Sequence, residues 1–223
     1  MQRIPVINPA TEEVIDRVPR GTAADADRAV RAARLAFKDW RWVPAIEKAQ
    51  MLHGIARDLR ARQKELATLM TQEGGKPWCE NRDEVEWVAA CFDYYAEIGR
   101  NSRGSSIPPV FHHQVNFTIK EPYGVVVGII PWNYPLLLMV WKAAPALMAG
   151  DTVILKPSEE TPLSLLAIAD LFKPLGKGVV KIVTGYGEEI GEALVKHPGT
   201  DLIAITGSVE TGKRVGQFCA AQS

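Results

Sequence analysis

Glu121-Pro-Tyr-Gly-Val-Val-Val-Gly-Ile-Ile-Pro-Trp-Asn-Tyr-Pro-Leu136 is the stretch on which the reading of this chain turns. Residues 125–130 form a short, mostly β-branched apolar run that stops at Pro131, the pattern of a strand buried on both faces. From Gly124 to Gly150 the segment is also long and apolar enough to suggest a membrane span. Pro131, Asn133, Pro135, Lys142 and Pro145 break that reading, and a strand, a turn and a buried helix explain the same residues without a bilayer.

Three further runs of this kind follow at residues 152–155, 179–184 and 202–206. Helical stretches separate them at 136–148, 163–172 and 188–196, and another follows Gly207. The β-α-β-α-β-α-β-α order implies right-handed crossovers and a parallel sheet. The expected fold class is therefore α/β, a partial Rossmann-like parallel sheet with flanking helices, with ligands at the carboxyl ends of its strands.

Upstream, the chain reads as a helical region. Thr22 with Asp25 makes a capping pair before Ala29, Val30, Ala33 and Phe37 at helical spacing. Pro44 then precedes one long helix through Ile46, Leu52, Ile55, Leu59, Leu66 and Leu69, closed by Gly74-Gly75 and Pro77. A third helix is expected over about 81–100, carried by Val85, Val88, Phe92 and Tyr95, followed by a Ser/Gly/Pro-rich link at 101–109. From Gln114 the period falls to two, and Val115, Phe117 and Ile119 predict a half-buried arm or edge strand. The chain divides accordingly into residues 1–113, a helical region and link packing with the rest, and residues 114–223, an incomplete α/β domain.

Lys plus Arg and Asp plus Glu are 26 each, so no net field would gather nucleic acid or an anionic membrane, and a small, roughly neutral partner is expected. Three cysteines without C-x-x-C spacing argue against a disulfide framework or a zinc site and for a reducing, cytoplasmic setting. The N-terminus shows no secretory signal.

Each expected strand ends in a polar or glycine-rich cluster. Lys156 and Glu159 suit the hydroxyls of an adenosine ribose, or form an ordinary loop ion pair. Gly185, Gly187 and Gly191 read G-x-G-x-x-x-G, one residue longer than the dinucleotide fingerprint, and turn glycines explain them equally. Residues 207–213 match a phosphate-binding P-loop until Arg214 takes the Ser/Thr position, where a donor-only guanidinium cannot coordinate magnesium. The Asn133 side chain is placed to donate to a developing oxyanion, or to satisfy its own Pro-flanked turn. The four histidines lack partners at metal or nucleophile spacing and read as surface or packing residues.

Taken in order, Asn8-Pro-Ala-Thr11, EPYGVVVGIIPWNYPL, KPSEETP, VTGYGEEIG and ITGSVETGK make the chain resemble the aldehyde dehydrogenase superfamily over nearly its whole length. The resemblance implies NAD, with NADP disfavoured by a ribose-binding glutamate. It makes Asn133 the oxyanion donor, sets Ile129, Ile130, Pro131 and Trp132 along the cofactor groove, and puts Lys156, Ser158 and Glu159 at the adenosine end. Gly187 and Gly191 would lie beside adenine, and Thr206, Gly207, Ser208 and Thr211 would form the turn and helix start under the pyrophosphate. GKPWCENRDEV, CFDYYAEIG and PWNYPLLLMVWKAAPAL look most similar to betaine aldehyde and aminoaldehyde dehydrogenases, which implies a small-molecule aldehyde substrate and gives Tyr134 and Trp141 to its tunnel. An aromatic wall holds an ammonium group by cation–π attraction.

Ile205 stands where the family usually has Phe, and residues 172–178 look shorter than usual. Members oxidise aldehydes through a nucleophilic cysteine and a general-base glutamate, whose motifs are expected downstream of Ser223, so the chain reads as truncated, without the catalytic domain. Cys219 lacks the Asn-x-Gly-Gln context of that nucleophile. Full-length members are expected to form homo-oligomers. Beside the oxidoreductase reading stand a nucleotide-binding or interaction module without catalysis and a P-loop nucleotide-binding protein.

Overall fold

A computed structural model describes residues 2–221. Strands β5 (Val125–Ile129), β6 (Thr152–Lys156), β7 (Val180–Ile182) and β8 (Leu202–Ile205) form a parallel sheet of order β7-β6-β5-β8. In register, Val125 pairs with Thr152 and Ile129 with Lys156, while Val126 pairs with Leu202 on the other side. The chain steps outward through β6 and β7, then returns across β5 to β8, so the order reverses between β5 and β8. That reversal opens a crevice at their carboxyl ends.

Alternation along β5 divides the core. Val125 and Val127 pack with Ile154 against α1 (Ala23–Trp40) and α7 (Glu192–Val195). Val126 packs with Val153 and Leu155 on the opposite face, against α5 (Pro135–Ala149) and the helices α2 (Ala45–Ala61), α3 (Gln63–Gly74) and α4 (Trp78–Gly99). The capping pair at the start of α1 is present, with the Asp25 carboxylate accepting the Thr22 N–H at 2.9 Å. Gly128 in β5 leaves room for a neighbour, since a Cβ there would lie 3.1 Å from Leu155 and 3.4 Å from the Lys142 stem.

Several expectations are corrected. The chain begins with an antiparallel hairpin, β1 (Arg3–Ile7) and β2 (Val14–Pro19), rather than with helices. Ile4, Val6 and Val18 bury against Leu163 at the start of the short helix α6 (Leu163–Ala167). The long helix expected after Pro44 is two, because Arg62 leaves helical geometry (φ −102°, ψ 12°) and redirects α3. Its apolar stripe runs unbroken across the bend, which is why the sequence reads as one element. The helix expected over 163–172 ends at Ala167 and gives way to a 3₁₀ segment, Ala169–Leu175, that contains Pro174. Of the four runs expected to be buried on both faces, only β5 and β6 are; β7 and β8 are half-buried edges. The α8 helix (Val209–Ala220) covers β8 poorly, with no described residue buried.

The arm is shorter and barer than expected. Only β3 (Ser106–Ile107) and β4 (Asn116–Phe117) pair, and Val115, Phe117 and Ile119 are 85%, 66% and 69% exposed. Alternation fixes which side chains share a face, but a two-stranded ribbon offers that face nothing to pack on. Among the described residues, no helix is long and apolar enough to cross a membrane.

Candidate functional site

The carboxyl ends of β5 and β6, the turn and helix over residues 187–195 and one side of α8 enclose a cleft of about 310 Å³. Ile129, Lys156, Gly187, Gly191 and Thr211, which the family resemblance assigns to the cofactor, all line it. Lys156 is 3% exposed, and its Nζ lies 3.0 Å from the more open carboxylate of Glu159. Residues Gly187–Gly191 form a widened π turn. A Cβ added at Gly187 would meet nothing within 4 Å, whereas Gly185, at φ +150°, would bring one to 2.7 Å from Ile190. Gly185 is therefore the turn glycine, and Gly187 leaves the wall flat for a ligand.

Ser208 caps α8, its Oγ accepting the Thr211 N–H at 3.1 Å. Arg214, at the P-loop's Ser/Thr position, is paired with Glu192 at 2.5 Å on the same wall. Ser158 turns back to accept the Glu160 N–H at 3.3 Å, and Ile130 is buried in the core. Glu159, Ser158, Ile130, Pro131, Trp132, Thr206, Gly207 and Ser208 lie outside the cleft's lining, Glu159 reaching it only through its contact with Lys156.

Asn133 sits in the turn between β5 and α5, exposed, and its carboxamide bonds to no described residue. The amide is thus left open and is not consumed by its own turn. Glu84, fully buried on α4, accepts the N–H groups of Leu136 and Leu137 at 3.1 and 3.0 Å, closing the first turn of α5 from a neighbouring helix. Glu73 does the same for α6, accepting from Leu163 at 2.6 Å and Ser164 at 2.9 Å. Burial pushes its carboxyl up to about 7.

Tyr134 and Trp141 are not brought into one cavity. The Tyr134 ring lies under Lys76 Nζ, 3.6 Å from its centroid, in a hollow of about 300 Å³ shared with Asn133. Trp141 is exposed on α5 and borders a larger hollow of about 910 Å³ together with Lys142, Pro145 and Leu202.

The sequence reading missed Lys142 as more than a breaker of the apolar stretch. Its Nζ donates to the Leu138 carbonyl at 3.0 Å and to Thr206 Oγ1 at 2.7 Å, and burial lowers its pKa to about 8. One lysine in an otherwise apolar helix was the available signal. Glu84 was legible in the same way, since it falls on the stripe of Asn81, Val85, Val88 and Phe92 that α4 buries. His53 also has partners, Asp93 at 2.6 Å and Glu97 at 2.8 Å, which hold its pKa above the usual value. Among the described residues, no cluster suits a metal ion.

A family model described as the aldehyde dehydrogenase family matches residues 1–223. Aminoaldehyde dehydrogenase 2 of Zea mays is 45% identical over 231 residues, which cover 99% of this chain and 46% of that protein. Betaine aldehyde dehydrogenase of Staphylococcus aureus, solved in complex with NAD+, is 36% identical with a TM-score of 0.96 over 99% of this chain and 45% of its own. An NADP-dependent enzyme of E. coli is 36% identical with a TM-score of 0.97 over 99% of this chain and 46% of its own. The chain thus spans about half the length of these relatives. With the sheet order, the cleft and the Asn133 turn in place, the chain belongs to the aldehyde dehydrogenase family.

Proposed function

We propose that this chain supplies the cofactor side and the oxyanion donor of an enzyme that oxidises an aldehyde to a carboxylic acid. The observation that carries the reading is the convergence of Lys156, Gly187, Gly191 and Thr211 on one cleft at the strand ends. The cleft fits the adenosine end of a dinucleotide. Gly187 leaves a flat wall, and Lys156 and Glu159 offer a donor and an acceptor for ribose hydroxyls. NAD, when bound, supplies the hydride acceptor. Glu188 and Glu210 line the cleft, where Arg214 offsets Glu192, and with Glu159 beside Lys156 they oppose the charge of a 2′-phosphate, favouring NAD over NADP.

Asn133, one strand end away, would donate its unengaged amide to the aldehyde oxygen as negative charge develops there. Trp141 presents an open ring face, whereas Tyr134's is covered by Lys76. An aldehyde bearing an ammonium or trimethylammonium group would gain about 0.5–2 kcal/mol on such a face. The aminoaldehyde and betaine aldehyde relatives support the same substrate class.

A second reading, an NAD-binding module without chemistry of its own, draws its support from Cys91. Burial pushes the Cys91 thiol to about 11, so it is not a thiolate at neutral pH. Calorimetric titration of the chain with NAD, and an NADH assay with betaine aldehyde, test both readings. Binding without turnover is expected of the chain alone, and absence of NAD binding removes the proposal.

A further inference from the structure

Lys76 lies at the turn between α3 and α4, and its side chain is engaged wholly with the region around Asn133. Its Nζ is salt-bridged to the buried Glu84, lies 3.5 Å from the Asn133 carbonyl, and sits 3.6 Å from the centre of the Tyr134 ring. Glu84 in turn holds the N–H groups of Leu136 and Leu137. One buried ion pair therefore touches both sides of the turn that carries Asn133.

The base of this support is itself fixed. The Asn81 carboxamide donates to the Lys76 carbonyl at 3.1 Å and to Thr71 Oγ1 at 2.9 Å. Gly75, at φ +73°, closes α3, and a Cβ there would approach Pro9 to 2.8 Å. The Asn133 carboxamide bonds to no described residue, so the backbone alone fixes the point from which it projects, and that backbone is gripped at few points. Thr161 Oγ1 donates to the Trp132 carbonyl at 3.3 Å, and Lys76 takes the next carbonyl along.

We propose that Lys76 is a positioning residue, which with Glu84 braces the turn from behind and fixes the backbone position from which the Asn133 carboxamide projects. This rests on the reading of Asn133 as an oxyanion donor. Removing Lys76 alone would strand the Glu84 charge in the core and confuse lost bracing with lost stability. The informative variant is therefore the double substitution Lys76→Met with Glu84→Gln, which leaves no unpaired charge and keeps an oxygen for the α5 N–H groups.

The test is the side-chain amide signal of Asn133 in the 15N-labelled chain, assigned by its loss in Asn133→Ser. The unsubstituted chain should give one resolved pair of amide protons. In the double variant the pair should shift as the turn moves, in Glu84→Gln it should shift part of the way in the same direction, and in Lys76→Arg it should stay near its original place. NAD affinity should stay within about twofold throughout, because the Lys156 cleft is untouched. An Asn133 pair unmoved in whichever of the double variant and Glu84→Gln retains a native backbone spectrum overturns the proposal. Failure of every form to bind NAD would remove the functional reading instead, while the Asn133 signal still decides the role of Lys76.

Discussion

Lys142 Nζ lies 2.7 Å from Thr206 Oγ1, so an ammonium on the buried side of α5 is tethered to the carboxyl end of β8. Gly128 lies beside the Lys142 stem, where a Cβ would meet it at an ordinary 3.4 Å and crowd Leu155 at 3.1 Å instead. Burial lowers the lysine's pKa to about 8, below the value of about 10.4 expected in the unfolded chain. Between these values the unfolded state binds more protons than the folded one, so this group's contribution to stability rises with pH across that window. The full span corresponds to at most about 3 kcal/mol. Urea unfolding at pH 7.5 and 9.5 should show the rise in the unsubstituted chain and a flatter response in Lys142→Met.

Glu73 has the opposite sign. Its folded pKa is raised to about 7, so between its ordinary value and 7 the folded state holds the extra proton. The associated stability is present at low pH and lost as pH climbs through 7. His53, held above its ordinary value by Asp93 and Glu97, loses stability in the same direction as it deprotonates. Together with Lys142 these groups place a minimum in the stability profile near neutral pH. Glu73→Gln should remove most of the fall between pH 5 and 7, at a cost of about 1 kcal/mol for the α6 N–H group left facing an amide donor. A stability curve in Glu73→Gln that keeps its slope between those pH values would place the titrating group elsewhere.

Glu73, Glu84 and Lys142 also mark the boundary of what could be read in the sequence. The parallel sheet was legible because β-branched runs punctuated by Gly and Pro have few other folded forms, and Lys156 and Gly187 follow from the rule that ligands meet such sheets at the strand ends, whereas Thr211 came only with the family resemblance. For the buried charges, burial was legible from their place on apolar helix stripes, but their roles were not. A glutamate on a helix stripe becomes a helix cap only when a second helix begins beside it, and that meeting of α4 with α5 is set by packing between distant segments. The hairpin β1–β2 was hidden for a similar reason. Ile4, Val6 and Val18 are too few to announce a sheet, and they bury only because Leu163 arrives from far along the chain.

For the cleft, the discriminating pair is Lys156→Met and Glu159→Gln. Lys156 is nearly buried and held against Glu159, so its loss removes a charged donor that water cannot readily replace. A charged hydrogen bond of about 1.5–3 kcal/mol converts to roughly ten- to hundredfold weaker NAD binding. Glu159→Gln should weaken NAD less and narrow its advantage over NADP, because a neutral amide no longer repels a 2′-phosphate. Titration calorimetry of both variants with both nucleotides measures this. Equal loss of NAD and NADP affinity in Glu159→Gln would mean that the carboxylate does not face the ribose.

The arm gives a prediction about assembly. Val115, Phe117 and Ile119 are spaced two apart, so they project from one side of an extended strand, and all three are largely exposed. Ile107, exposed on the paired strand, is opposite Asn116 and so lies on the other face, which leaves Val115, Phe117 and Ile119 as an apolar stripe that the ribbon cannot bury on itself. Burying an aliphatic or aromatic side chain of this size is worth roughly 1.5–3 kcal/mol, and several together can offset a substantial part of the entropy lost on association. The prediction is that a second copy of the chain, bringing an identical apolar stripe, covers it. Sedimentation of the unsubstituted chain should therefore show concentration-dependent association, and Val115→Ser with Phe117→Ser should shift it towards the monomer while leaving the melting transition of the sheet domain in place. Association unchanged in the double variant would move the contact to another surface, with the half-covered β8 edge the next to examine.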